Sequence, residues 1–139
     1  MDEESAGGPG TATITRPARV VLVEDHPAVR EQLTALLRAA GLDVVAVAGD
    51  LRGGHDAVRT ARPEVAVVDN RLPDGRGIDL CALLAREAPE VALIVHSGAV
   101  TDAETERALA LGVAAVVPKS LRGSELLAAV RHAAGRSRP

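Results

Sequence analysis

Five short segments of the chain are rich in Val, Ile, Leu and Ala, with little of the polar alternation of half-exposed strands. Such runs are typical of strands buried on both faces of a parallel sheet. Between them lie longer segments whose apolar residues recur every three or four positions, which is typical of amphipathic helices. The predicted strands cover residues 20–23, 42–48, 65–68, 91–96 and 113–117.

Start and stop signals support a helix after each strand. Pro27 suits the first turn of a helix, and Gly41 suits the residue after its end. Thr101-Asp102-Ala103-Glu104 matches a capping box. The predicted helices cover residues 27–40, 50–62, 77–88, 101–112 and 121–134.

Regular alternation of strands and helices predicts an α/β fold with a doubly wound, five-stranded parallel sheet. The flavodoxin-like strand order 2-1-3-4-5 suits five strands with short connections. In this order the first and third strands flank the switch point, outside whose carboxyl ends ligands bind. We therefore expect a site where these two strands end.

Polar residues stand where four of the strands end. The third strand stops at Asp69, the first at Glu24-Asp25, the fourth at His96-Ser97 and the fifth at Pro118-Lys119. A single Asp after a strand is often only a turn former or a helix N-cap. The repetition at several strand ends, however, indicates a common site in which Glu24, Asp25 and Asp69 converge.

Three clustered carboxylates repel one another, so the pattern predicts a bound cation. Mg²⁺ is suited to carboxylate oxygens and shares phosphate oxygens with its protein ligands. With Lys119 and the Ser97 hydroxyl opposite, a phosphoryl group on Asp69 would have its charge compensated from several sides. Asp69 is therefore predicted to be a nucleophile that forms an aspartyl phosphate.

Composition limits the other functions. The 139 residues suffice for one domain, with a leader at 1–18 expected to be disordered, a folded domain at 19–135 and a tail at 136–139. A net charge of −3 and the absence of aromatic residues argue against direct nucleic-acid binding. One cysteine and no long apolar segment predict a cytoplasmic protein without a membrane partner.

The segment from Arg19 to Gly135 resembles the receiver domain of two-component response regulators, the CheY-like fold. The acidic pair, the strand-end Asp with Leu72-Pro73-Asp74-Gly75 behind it, the hydroxyl residue and the lysine match that family in order and spacing. The resemblance implies the following roles: Asp69 as phosphoacceptor and metal ligand, Asp25 as a direct Mg²⁺ ligand, Glu24 as a ligand through water, the Arg71 backbone carbonyl as a further ligand, and Ser97 and Lys119 as partners of the phosphoryl oxygens.

The resemblance also implies partners. A sensor histidine kinase or phosphotransfer protein would supply the phosphoryl group, and a homodimer would form through the fourth helix, fifth strand and fifth helix. The segments Glu24-Asp25-His26-Pro27 and 125–131 are similar to receivers of regulators with a LuxR-type DNA-binding domain. Four residues follow Gly135, so we expect either a stand-alone receiver or the receiver part of a longer regulator.

One feature departs from the usual pattern of the family. The family usually has an aromatic residue three positions before the lysine, where this chain has Val116. A Mg²⁺-dependent aspartyl-phosphate phosphohydrolase is a competing interpretation, but such enzymes commonly place a second Asp two residues after the nucleophile, and Arg71 stands there. A third interpretation is an interaction domain that works without phosphorylation.

Overall fold

A computed structural model describes residues 16–119 and 123–137 of the chain. Helices and strands alternate along it, with a two-stranded hairpin inserted after the third strand of the main sheet. The elements are β1 (Arg19–Val23), α1 (Pro27–Ala39), β2 (Asp43–Ala48), α2 (Leu51–Ala61), β3 (Val65–Val68), β4 (Arg71–Leu72), β5 (Gly75–Arg76), α3 (Gly77–Glu87), β6 (Ala92–Ser97), α4 (Asp102–Ala110), β7 (Ala115–Pro118) and α5 (Ser124–Ser137).

The main sheet has five strands in the order β2-β1-β3-β6-β7, and every neighbouring pair is parallel. This confirms the predicted α/β fold and the predicted strand order, with β6 and β7 as the fourth and fifth strands. All five strands therefore end at the same edge of the sheet. The central strand β3 is buried along its whole length, as its unbroken apolar run predicts.

Alternate residues of each central strand enter two separate hydrophobic layers. On one face, Val21 and Val23 of β1 pack in a layer that includes residues of α2, α3 and α4. On the other face, Val20 and Leu22 pack in a layer that includes residues of α1 and α5. Burial on both faces accounts for the absence of polar alternation in these strands.

The helix caps follow the sequence signals closely. The Asp50 side chain accepts a hydrogen bond from Gly53 N at the start of α2. At α4, the Thr101 hydroxyl accepts from the Glu104 N–H, and the Glu104 carboxylate accepts from the Thr101 N–H. The predicted capping box is thus present with both of its bonds.

The predicted bounds are wrong at the carboxyl-terminal end of the fold. The fifth strand begins at Ala115 rather than Val113, because the Val113 N–H bonds to Ala108 O (3.1 Å) and helps to close α4. The last helix of the described residues runs from Ser124 to Ser137, after Gly123 in the left-handed region (φ 71°). Its predicted start at residue 121 lies outside the described residues.

The turn after β3 is a short antiparallel hairpin, β4-β5, which the sequence indicated only as a sharp turn. Most of the predicted leader lies outside the described residues, but Ala18 is buried and its carbonyl accepts a hydrogen bond from Asp43 N (2.9 Å). Among the helices of the two described ranges, none has the length and apolar character needed to cross a membrane.

Gly77 allows α3 to begin directly against the end of β3. A Cβ atom at this position would lie 2.1 Å from the backbone oxygen of Asp69. No rotamer can relieve a contact with backbone, so the chain around Asp69 would have to move. The absence of a side chain at Gly77 therefore sets the position of the Asp69 loop.

We expect Gly77→Ala to lower the free energy of unfolding by about 1 to 3 kcal/mol, the usual cost of overpacking. Gly135→Ala is the matched control, because the added Cβ would meet no described atom within 4 Å beyond its chain neighbours and the backbone of its own helix, and alanine favours the helix. Urea unfolding followed by far-ultraviolet circular dichroism measures both variants. Equal stability of the two variants would contradict the close approach.

Candidate functional site

Three strand ends bring two acids and one base into direct contact. The Lys119 ammonium, after β7, lies 2.9 Å from Glu24 Oε1 and 3.1 Å from Asp69 Oδ2. Glu24 follows β1 and Asp69 follows β3, and the two residues are only 1% and 3% exposed. The predicted convergence of these residues is therefore present, with the lysine between the two carboxylates.

The ammonium of Lys119 and the carboxylates of Glu24 and Asp69 stabilise one another's charges. Burial alone lowers the pKa of Lys119, but hydrogen bonds to Glu24 and Asp69 and the charges of both carboxylates outweigh it and raise the pKa above its ordinary value. A buried carboxylate without a partner would be strongly destabilising. The ammonium therefore compensates two buried negative charges at once.

Asp25 supplies a third carboxylate to the same place. Ligand atoms of Glu24, Asp25, His26 and Asp69 all lie within 4.8 Å of one another. His26 Nδ1 lies 3.1 Å from both Glu24 Oε2 and Asp25 Oδ1, but it forms a hydrogen bond only with Glu24. Asp25 Oδ1 is a buried acceptor that has no hydrogen bond within residues 16–119 and 123–137. Oxygen atoms clustered around an unsatisfied acceptor fit a hard divalent cation such as Mg²⁺.

Arg71 and Ser97 stand at the margin of this cluster. The Arg71 N–H donates to Asp69 Oδ1 (3.2 Å), while the Arg71 residue is exposed. The Ser97 hydroxyl is buried and accepts from the Ala99 N–H (3.3 Å), so it faces the loop that leads to α4. The predicted roles of the Arg71 carbonyl and the Ser97 hydroxyl towards a metal and a phosphoryl group stay predictions.

His96 lies beneath the site as a buried imidazole. Burial and the nearby Lys119 charge lower its pKa, and the charges of Glu24 and Asp69 oppose them only in part. A neutral ring results at neutral pH, which avoids a second cation beside Lys119. His96 is thus a packing residue of the strand end.

Asn70 is a site residue that the sequence analysis did not identify. It is fully buried, and its amide contacts the start of α3 and the loop before α4. Nearby, Arg76 and Glu104 form a close ion pair between the start of α3 and the first turn of α4. The only sequence signal that could have identified Asn70 as a site residue is its position next to a strand-end acid. An Asn at such a position is equally typical of an ordinary turn.

We predict that Lys119 titrates above the value of about 10.4 for a free lysine in metal-free buffer, and that Glu24→Gln lowers its pKa. Because Lys119 is the only lysine, the ε-carbon resonance of ¹³C-labelled lysine reports this residue alone. A lysine whose pKa is raised by folding stabilises the folded protein fully at pH values below its unfolded-state pKa. This contribution to the unfolding free energy is lost as the pH rises through the folded-state pKa. The unfolding free energy should therefore fall at alkaline pH.

The stability measurement needs a Cys81→Ala background. Burial raises the pKa of the Cys81 thiol to about 12, whereas an unfolded thiol titrates near about 8.5, so it also destabilises the fold as the pH rises. In that background, Lys119→Met should remove most of the alkaline decline. An unchanged decline in Lys119→Met would show that other groups cause it.

Comparisons with known proteins agree with this geometry. Residues 20–131 match the family model of the response regulator receiver domain. The chain is 41% identical over 121 residues to the DNA-binding transcriptional activator DevR/DosR of Mycobacterium tuberculosis, covering 86% of this chain and 56% of that protein. It is 35% identical over 119 residues to a protein-glutamate methylesterase/protein-glutamine glutaminase of Anaeromyxobacter dehalogenans, covering 84% of this chain and 32% of that protein. The chain thus spans about half or less of these curated relatives.

A solved structure is also similar. The two-component response regulator of the LuxR family from Aurantimonas sp. SI85-9A1 superposes with a TM-score of 0.80 at 29% identity, covering 88% of both chains. This confirms the resemblance to receivers of LuxR-type regulators. The chain belongs to the receiver domains of two-component response regulators.

Proposed function

We propose that this receiver accepts a phosphoryl group on Asp69 from the phosphohistidine of a sensor histidine kinase or phosphotransfer protein. The observation that carries the proposal is the contact of Lys119 with both Asp69 and Glu24 at the ends of three strands. These contacts fix the Asp69 carboxylate at the edge of the sheet and place a positive charge beside it. An ionised, positioned carboxylate is the nucleophile that the reaction needs.

In the transfer, a carboxylate oxygen of Asp69 attacks the phosphorus atom. A bond forms between that oxygen and phosphorus, the bond from phosphorus to the donor nitrogen breaks, and its electron pair leaves with the donor. Lys119 then contacts an incoming phosphoryl oxygen in place of part of its contact with Asp69. The Ser97 hydroxyl donates a hydrogen bond to a second phosphoryl oxygen. Positioning and charge compensation of this kind are most of what phosphoryl transfer requires.

Glu24, Asp25, Asp69 and the Arg71 carbonyl would hold Mg²⁺ in this proposal. The ion would supply positive charge for the phosphoryl oxygens in addition to that of Lys119. The buried Asp25 Oδ1 atom, which has no hydrogen bond from any described residue, supports this assignment.

The proposed activity is signalling rather than turnover of a substrate. A phosphohydrolase with an aspartyl nucleophile needs a second acid-base group beside it, and the residue two positions on is the exposed Arg71. The chemistry of the chain would then be limited to its own phosphorylation and a slow loss of the phosphoryl group. One unpaired, buried cysteine supports a cytoplasmic location.

The output of the switch differs among the relatives, so it is also a proposal. One relative is a DNA-binding transcriptional activator and another is a methylesterase. We propose that phosphorylation changes the face formed by α4, β7 and α5, which would serve a homodimer or an output partner. The similarity to a LuxR-family regulator favours a transcriptional output through a domain outside this chain.

We expect acetyl phosphate with Mg²⁺ to add one phosphoryl group to the protein, and Asp69→Asn to abolish the addition, because an amide is not a nucleophile here. Intact-protein mass spectrometry measures the modification. Asp74→Asn is a matched control, since Asp74 lies in the same turn but bonds to the N–H groups of Leu51 and Arg52 instead.

Two further experiments test the role of Mg²⁺ in the phosphorylation of Asp69. Chelation of Mg²⁺ and the variant Asp25→Asn should each slow the addition by at least about tenfold, the effect of losing roughly 1.4 kcal/mol of charge compensation. Equal modification of the wild type and Asp69→Asn would refute the phosphoacceptor. An unchanged rate after chelation would refute the role of the metal.

Val116 leaves an open groove beside the site instead of a bulky ring. The groove has a volume of about 260 Å³ and is lined by Ser97, Gly98, Val100, Thr105, Val116 and Pro118. Valine has one strongly preferred rotamer and is too short to swing between a buried and an exposed position. Phosphorylation must therefore reach α4 chiefly through Ser97 and the loop to Thr101.

We predict that beryllofluoride, a phosphoryl mimic, shifts the amide resonances of residues 97–101 strongly and the Val116 methyl resonances weakly. The charge-assisted hydrogen bond from Ser97 to the mimic is the physical reason. NMR shift mapping on the wild type, with Ser97→Ala as control, measures the response. Large shifts at Val116 with residues 97–101 unmoved would contradict this route.

A further inference from the structure

The amide of Asn70 joins three segments that surround the site. Asn70 follows Asp69 directly and is 0% exposed. Its Oδ1 accepts from the N–H of Ile78 (3.2 Å) in the first turn of α3, and its Nδ2 donates to the carbonyl of Ala99 (3.4 Å) in the loop before α4. A buried amide with partners in two other segments restrains their relative positions.

Glu104 extends these contacts into α4. Its carboxylate accepts from the Thr101 N–H (3.1 Å) and pairs with Arg76 at the start of α3. Hydrogen bonds from the Thr101 backbone and the Arg76 side chain hold the pKa of Glu104 at about 2. Glu104 is therefore ionised at neutral pH, and it ties the first turn of α4 to the start of α3, where Ile78 bonds to Asn70.

We propose that Asn70 is a positioning residue that couples the state of Asp69 to the first turn of α4. This inference rests on the phosphoacceptor role proposed above. Asn70 would hold the loop at Ala99, two residues before the N-cap Thr101 of α4, in the resting arrangement. It would release this loop when a phosphoryl group on Asp69 draws Ser97 towards the site.

The lengths of the hydrogen bonds support release of the Ala99 loop from Asn70 when Ser97 moves. At 3.4 Å, the bond from Asn70 to Ala99 is long for an N–H···O hydrogen bond, so a small displacement breaks it. Ala99 is also the residue whose N–H donates to the Ser97 hydroxyl (3.3 Å), so movement of Ser97 moves Ala99. Both contacts of the loop thus change together, which is what a two-state switch needs.

A residue with a merely structural role would alter stability in both states, whereas a coupling residue alters the difference between them. We therefore compare amide hydrogen exchange at Glu104 and Thr105, in the first turn of α4, with and without beryllofluoride. In the wild type we expect the mimic to speed this exchange about tenfold, the effect of losing roughly one hydrogen bond. In Asn70→Leu, exchange should already be faster in the resting state, and the mimic should change it less than about twofold.

Asp79→Asn is the matched control, because it removes a different link between α3 and α4. Asp79 Oδ1 lies 3.0 Å from Arg107 Nη2, and both side chains are about half exposed. This variant should keep the wild-type response to the mimic. A second test variant, Asn70→Asp, keeps the size of the side chain and the acceptor for Ile78 but removes the donor to Ala99. It should lose the response as Asn70→Leu does, and it decides the question if Asn70→Leu does not fold.

Fluorine NMR of the bound mimic separates the two proposals. Without a bound signal in the wild type, the phosphoacceptor role fails and the coupling fails with it. A bound signal in the wild type and in an Asn70 variant, together with a full tenfold response at Glu104 and Thr105 in that variant, would overturn the coupling alone.

Discussion

The contact of one ammonium with two buried carboxylates is the constraint on which the site depends. Glu24 and Asp69 are almost excluded from solvent, and either charge would be costly to bury without a partner. Lys119 compensates both, and it can do so only if β1, β3 and β7 end at the same level. The register of the parallel sheet is therefore tied to the electrostatics of the site, although each is specified by different residues.

The two hydrophobic layers make that register rigid, while the loops that follow the strands are tied by polar contacts. Leu22 and Val23 are adjacent in β1 but pack in opposite layers, so a shift by one residue would reverse both. Asn70, by contrast, bonds to loop and helix N-terminal groups through single hydrogen bonds. The sheet can thus stay fixed while the loops take more than one arrangement.

The fold was predictable because it rests on patterns that neighbouring residues carry. Apolar runs, the capping box at Thr101 and the alternation of strands with helices led to the observed strand order, and the strand-end rule led to the meeting of Glu24 and Asp69. The start of β7 was not predictable, since it depends on whether Val113 bonds to the preceding helix α4 or to the neighbouring strand β6. The pairing of Lys119, the contacts of His26 and the burial of Asn70 depend on rotamers and on distances across the fold, which no local pattern carries.

Lys119 gives the chain an unusual surface chemistry. Every other basic residue apart from histidine is an arginine, so the only side-chain amine lies in the site, with 28% of its side chain exposed. Reagents that label, cross-link or immobilise proteins through lysine would react there or at the chain's own amino terminus. Guanidinium groups do not take part in such chemistry, so amine coupling at Lys119 would alter the centre of the site itself.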